Sequence, residues 1–118
     1  MIKRSEIFAF AKKKFDVSPD YPFEKYPHYA VLRHADDNKW FGLVMLVARE
    51  KLGLEGAGEV EVIDIKCDSK KVADLQKKDG FRPAYHMNKD HWLTALLDGS
   101  VSKDEILALL EKSYELTK

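Results

Sequence analysis

Cysteine is almost missing from this chain. Cys67 is the single one in 118 residues, so an intramolecular disulfide is excluded, and neither a CxxC redox pair nor a cysteine zinc cluster can be assembled. A reducing compartment suits such a sequence. Also missing is any apolar run near the roughly 18 residues that a membrane-spanning helix takes. The start, Met1-Ile2-Lys3-Arg4-Ser5-Glu6, lacks the long apolar stretch of a secretory signal, so a cytoplasmic protein without membrane association is expected. Nor is there an excess of charge of either sign: twenty basic residues balance twenty acidic ones. No overall field gathers polyanions, and any nucleic-acid contact has to come from a local patch.

What is present is ordinary for a globular protein: 45% apolar and 34% charged residues, a balance that excludes disorder. A chain of this length buries roughly two-thirds of its unfolded surface around one core, so a single domain over residues 1–118 is expected.

Ile7, Phe8, Ala11 and Phe15 recur at helical spacing, and the pattern stops before Pro19, Pro22 and Pro27, which predicts an amphipathic first helix. Asp16 to His28 reads as an extended connection pinned by Tyr21, Phe23 and Tyr26. Tyr29 to Ala35 and Lys39 to Ala48 are β-branched and aromatic, and Asp36-Asp37-Asn38 between them is turn chemistry, so they form a hairpin. Trp40 to Val47 is apolar on both parities, which calls for a central strand covered on both faces. Glu59 to Cys67 is the next strand, where a bulge near Val62 would reconcile Val60 and Val62 with Ile63, Ile65 and Cys67. Asp68 or Ser69 caps a short helix presenting Val72 and Leu75, with Gly80 expected to end it. Phe81 to His86 and His91 to Leu97 read as two further strands, followed by a turn at Asp98-Gly99. The last helix begins at Ser102, where Glu105 has capping-box spacing and Val101 and Ile106 staple spacing; Ile106, Leu107, Leu109, Leu110 and Tyr114 form its apolar face. This order has no alternation of strand and helix and has connections too short for parallel crossovers, so it implies an α+β fold with a largely antiparallel sheet under terminal helices.

The most chemically loaded stretch is PAYHMNKDHW, residues 83 to 92. With Asn88-Lys89 as a two-residue turn, His86 would face His91 and Tyr85 would face Trp92. Alternatively, Asn88 would cap a single helical turn running through His91 and Trp92, separating those groups. Two histidines fall short of the three or four ligands of a zinc site, so no metal and no cofactor is expected. No serine accompanies them as a nucleophile and Cys67 lies in a strand, so no catalytic residue is assigned and an enzyme is the least favoured reading. GLEGAG, residues 53 to 58, lacks the lysine ending of a phosphate loop and precedes a strand, which makes it a plain loop. The runs Lys12-Lys13-Lys14 and Lys77-Lys78 read as solvated helix faces.

YPHYAVLRH (26 to 34), KWFGLVM (39 to 45), IDIKCD (63 to 68), PAYHMNKDHW, LDGSV (97 to 101) and SYEL (113 to 116) together resemble the MmcQ/YjbR family of small bacterial proteins. The resemblance runs from about Tyr21 to Leu116. It implies a CyaY-like α+β sandwich of about five strands, and a DNA-binding or regulatory role by likeness to double-wing domains, whose hairpins act as wings. On that reading Arg33, Lys39, Arg82 and Lys89 are the nucleic-acid contacts. The wing tips are poor ones electrostatically, since Asp36-Asp37-Asn38-Lys39 is net negative and Asn88-Lys89-Asp90 is neutral. The alternative is a protein-interaction or small-ligand module in which Tyr26, Tyr85, His86, Asn88, His91 and Trp92 form the binding surface.

Overall fold

The computed structural model describes residues 1–118, and its first helix, α1 (Arg4–Phe15), is followed by the hairpin β1 (Ala30–Arg33) and β2 (Trp40–Ala48). A 3-10 turn (Arg49–Leu52) leads to β3 (Glu59–Lys66), α2 (Ser69–Leu75), β4 (Phe81–Pro83), β5 (Trp92–Leu96) and α3 (Lys103–Leu116). The strands form one sheet in the order β1-β2-β3-β5-β4, and every neighbouring pair is antiparallel. This is the α+β arrangement expected from the element order.

The caps that the residues suggested are made. Ser102 Oγ accepts the Glu105 N–H at 3.2 Å, and Asp68 Oδ1 accepts the Lys70 N–H at 3.0 Å. Gly80 does not end α2, which stops at Leu75; instead it turns the chain into β4 at φ +92°, where a Cβ would lie 2.5 Å from Val101 Cγ2. Only glycine fits that approach.

Both faces of the sheet are buried, by different means. Ile7 and Ala11 of α1, Val72 and Leu75 of α2, and Ile106, Leu109 and Leu110 of α3 pack on the face carrying Leu32, Phe41, Val44, Ile63, Ile65 and Leu93. The opposite face, with Val31, Leu43, Met45, Val60, Val62 and Leu96, has no helix over it; Leu52, Phe23, Tyr29, Tyr85 and Met87 from the loops cover it. Two covered faces explain why β2 and β3 are apolar on both parities. The bulge expected near Val62 is therefore absent, and β3 pairs with β2 in unbroken register from Glu59 opposite Ala48 to Ile65 opposite Gly42.

The irregularity lies one strand away. Leu32 pairs with Gly42 while Arg33 pairs with Trp40, so Phe41 is an extra residue in β2. The parity of the strand inverts there: Phe41 joins the helix-covered cluster, and Trp40 joins Leu43 and Met45 on the other face. Where the next rung against Lys66 would stand, the buried Ser113 of α3 inserts its hydroxyl, donating to the Phe41 carbonyl at 2.7 Å and accepting the Lys66 N–H at 2.9 Å. His34, just past β1, is buried beside it, with Nε2 2.7 Å from Thr117 Oγ1 and its ring 4.2 Å from that of Tyr114. Ser113 thus ties α3 to β2 and β3, and Thr117 just beyond the helix ties it to His34.

Replacing Ser113 with Ala leaves a buried carbonyl and a strand N–H without partners. Urea denaturation of S113A is expected to show a loss of about 1–3 kcal/mol with an unchanged m-value. A loss no greater than that of an exposed Ser100→Ala control would contradict the bridging role.

Candidate ligand-binding site

The loop before β1 is built of successive turns rather than extended chain. Its Tyr26 N–H bonds to the Phe23 carbonyl at 3.1 Å and its Tyr29 N–H to the Tyr26 carbonyl at 3.0 Å. Residues three apart therefore fall on one side of the loop. Tyr26 stacks on Tyr29 (centroids 4.7 Å, 19°), Phe23 meets Tyr29 edge-on at 6.0 Å, and Phe23 meets Trp40 edge-on at 5.9 Å. With Leu43, His86 and Met87 these rings line a half-open cavity of about 290 Å³ on the helix-free face. That is the lower end of the size range of small-molecule sites, and the lining is apolar except for the tyrosine hydroxyls and the imidazole. The spacing Phe23-x-x-Tyr26-x-x-Tyr29 was visible in the sequence, but Phe23, Tyr29, Trp40, Leu43 and Met87 were not among the candidate residues.

The PAYHMNKDHW stretch takes the second of its two readings. β4 ends at Pro83 and β5 begins at Trp92, so the strands expected over Phe81 to His86 and His91 to Leu97 are shorter. Pro83 pairs with Leu93, one residue out of the register that would have set Tyr85 against Trp92. Asn88 Oδ1 accepts the Asp90 N–H at 2.8 Å, and the Trp92 N–H bonds to the Asn88 carbonyl at 2.9 Å, closing a single helical turn. His86 takes a left-handed conformation at φ 69°. The six residues of the proposed ligand surface consequently disperse. Tyr26 and His86 line the cavity, and Tyr85 lies half-buried against His86 with centroids 4.1 Å apart. Asn88 and His91 are exposed, and Trp92 is 8% exposed, part of the packed sheet.

The four candidate phosphate contacts do not converge either. Arg33 ends β1 and Arg82 lies in β4, the two opposite edges of the sheet. The Arg33 guanidinium is paired with Asp20, Arg82 Nη1 donates to the Phe81 carbonyl at 3.0 Å, and Lys89 Nζ donates to the Ala84 carbonyl at 2.6 Å. Lys39 is exposed, 3.8 Å from Asp37.

Under the loop that carries Tyr85 and Lys89 sits a carboxylate that reading the sequence missed. Asp64 is wholly buried in β3, between Leu43 of β2 and Thr94 of β5 in the ladder. The Thr94 hydroxyl donates to Asp64 Oδ1 and accepts the Tyr85 N–H at 3.0 Å, while Oδ2 has no hydrogen-bond partner in the protein. Burial pushes the Asp64 carboxyl up to about 7, against the Thr94 hydrogen bond and the Lys89 charge, which lower it. Burial likewise raises the Tyr29 phenol, with Tyr85, Tyr26 and Asp64 adding to it, so Tyr29 stays neutral. The Cys67 thiol, on the helix side, is pushed up to about 11 by burial, which leaves it a poor nucleophile. No three His, Cys, Asp or Glu side chains gather closely enough to hold a metal ion, and no helix is long and apolar enough to cross a membrane.

Comparison with known proteins gives a consistent result. A family model described as YjbR matches residues 12–116. YyaQ of Bacillus subtilis is 45% identical over 118 residues, covering 100% of both chains, and YjbR of Escherichia coli K12 is 41% identical over 49 residues, 40% of this chain and 42% of that one. The crystal structure of a Pseudomonas syringae protein, 47% identical, superposes with a TM-score of 0.96 over 99% of this chain and 100% of that chain. A Deinococcus radiodurans protein, 21% identical, shares the fold with a TM-score of 0.76 over 98% of this chain and 78% of that chain.

Asp64 makes stability depend on pH in a defined direction. Its folded value of about 7 lies above the ordinary 3.8, so its protonated form favours the native state. The stabilisation is full below the ordinary carboxylate range and is lost as pH rises to about 7. From pH ~5 to ~8, Asp64→Asn is expected to gain about 2 kcal/mol on the native chain in parallel denaturation curves. Parallel pH profiles would show that Asp64 does not titrate in this range.

Proposed function

The chain belongs to the YjbR family, and from that premise we propose that it is a binding module rather than a catalyst, one that takes a flat aromatic group of a small ligand between the rings of the helix-free face. One observation carries this reading: Phe23, Tyr26, Tyr29 and Trp40, drawn from a loop and a strand, converge with His86 around a cavity that stays half open. Tyr26 is 51% exposed although it stacks on Tyr29, which suits a ring that closes over a ligand. Catalysis has less support, because the histidines of the PAYHMNKDHW stretch have no nucleophile beside them and the thiol of Cys67 is buried.

Duplex DNA is the second reading, and the likeness to double-wing domains favours it. Two of its candidate cations, Arg33 and Arg82, stand at opposite edges of the sheet, and Arg33 already has a carboxylate partner. If the β1–β2 tip docks on phosphates, replacing Asp36 and Asp37 with Asn tightens binding in fluorescence anisotropy at low salt. Unchanged affinity removes that docking geometry.

The pocket is tested with N-phenyl-1-naphthylamine, an uncharged aromatic dye that brightens out of water. Saturable 1:1 binding is expected, weakened roughly 5-fold by Tyr26→Ala and unaffected by Tyr21→Ala, an exposed tyrosine outside the cavity. An absence of saturable binding, or equal losses in both variants, would count against the pocket.

A further inference from the structure

Trp40 and Met87 form one wall of the cavity. Both residues also line a second groove of about 310 Å³, whose other side chains include Lys39, Lys66, Lys118 and Trp92. The aromatic pocket and this groove are therefore neighbours that share a wall. The three lysines arrive from three elements: Lys39 just before β2, Lys66 at the end of β3 and Lys118 just past α3. None of them was grouped with the others by sequence, where only Lys39 was a candidate.

Three lysines lining one open groove raise the local positive potential, which favours an anion there. The protein supplies little negative charge of its own. No aspartate or glutamate side chain lines the groove. Asp37 stands 3.8 Å from Lys39 and Glu115 3.5 Å from Lys118, both as exposed pairs of small energetic weight. Lys66 is half-buried and takes part in none of the molecule's ion pairs. Lysines near the end of α3 could also satisfy its last carbonyls, where the helix dipole is negative. Lys12, Lys89 and Lys103 do donate hydrogen bonds through Nζ elsewhere, whereas Lys39, Lys66 and Lys118 make none to a backbone carbonyl. Of the three, Lys66 has neither a carboxylate nor a carbonyl partner. Lys118 is further held over the Tyr114 ring at 5.4 Å from the centroid.

We infer that the ligand of the aromatic pocket carries an anionic substituent, a phosphate, sulfonate or carboxylate, which reaches past Trp40 and Met87 to lie among Lys39, Lys66 and Lys118. The inference rests on the pocket reading above and adds the ligand's charge: the site takes an amphipathic aromatic anion, ring in the apolar cavity and anion in the basic groove. Lysine suits that role as a mobile point charge that tolerates any of these groups.

The test compares two dyes that differ by one sulfonate: N-phenyl-1-naphthylamine and 8-anilino-1-naphthalenesulfonate, titrated into the native protein with near-UV circular dichroism confirming the fold. The sulfonate dye is expected to bind roughly 5-fold more tightly at low salt, and added salt is expected to weaken it while sparing the neutral dye. Lys66→Gln, and separately the exposed Lys39→Gln, should each weaken the sulfonate dye about 3-fold and leave the neutral dye unchanged. Tyr26→Ala should weaken both dyes. Equal affinities for the two dyes, or lysine variants that do not separate them, overturn the anion inference and leave the pocket standing. Binding of neither dye removes both. If the sulfonate dye alone binds, is unaffected by Tyr26→Ala and is displaced by duplex DNA, the groove is a phosphate-backbone contact and not part of a small-molecule site.

Discussion

The inserted residue at Phe41 governs which side of the sheet the neighbouring tryptophan serves, and the covering of the helix-free face follows from it. Without the bulge, Trp40 would share a face with Val44, under the helices, and Phe41 would share one with Leu43. With it, Phe41 packs edge-on against Phe15 (5.5 Å) and Tyr114 (5.0 Å), while Trp40 stands among the loop aromatics. A bulge interrupts a ladder and leaves backbone groups to satisfy. Ser113 meets that need from α3, which is why this serine is completely buried in a helix face that is otherwise apolar. The strand irregularity, the helix position and the aromatic wall are thus one coupled arrangement.

A second polar contact holds the other side of the cavity. The Thr94 hydroxyl links the buried Asp64 carboxylate to the backbone of Tyr85, so the loop between β4 and β5 is anchored to the middle of the sheet before it reaches His86 and Met87. Met87 then separates the apolar cavity from the basic groove. An ionisable side chain in the centre of a sheet destabilises the native state when charged, and such groups are frequent at sites that bind or respond. Its free oxygen and its place beside Leu43, a pocket residue, put it at the base of the same face.

Much of the fold was legible because local signals agreed with one another. Ser102, Glu105, Val101 and Ile106 defined the start of α3 through two independent devices, while cap chemistry alone placed that of α2 at Asp68 or Ser69. The alternation-free run of β2 correctly implied coverage on both sides. The parity change in Val60 to Cys67 misled, since it suggested a bulge where the strand is regular and merely buried twice. The site was less legible. Its richest stretch, PAYHMNKDHW, drew attention as a hairpin, yet a one-residue change of register and a single helical turn scattered its polar groups. Aromatic rings at Tyr21, Phe23 and Tyr26 read as pins for a connection, because nothing local says whether a ring packs inward or rims a cavity.

The sequence by itself determined the class of fold, the order of its elements, the caps of its helices and its family, because those depend on periodicity and on contacts a few residues apart. The tertiary structure alone decided that Trp40 meets Tyr29, that Asp64 lies under Tyr85, and that Lys39, Lys66 and Lys118 share one groove. These groups are far apart along the chain, and their meeting depends on strand order, on register and on the extra residue in β2. A shift of one residue in the register, or loss of the extra residue, turns a side chain to the opposite face of the sheet.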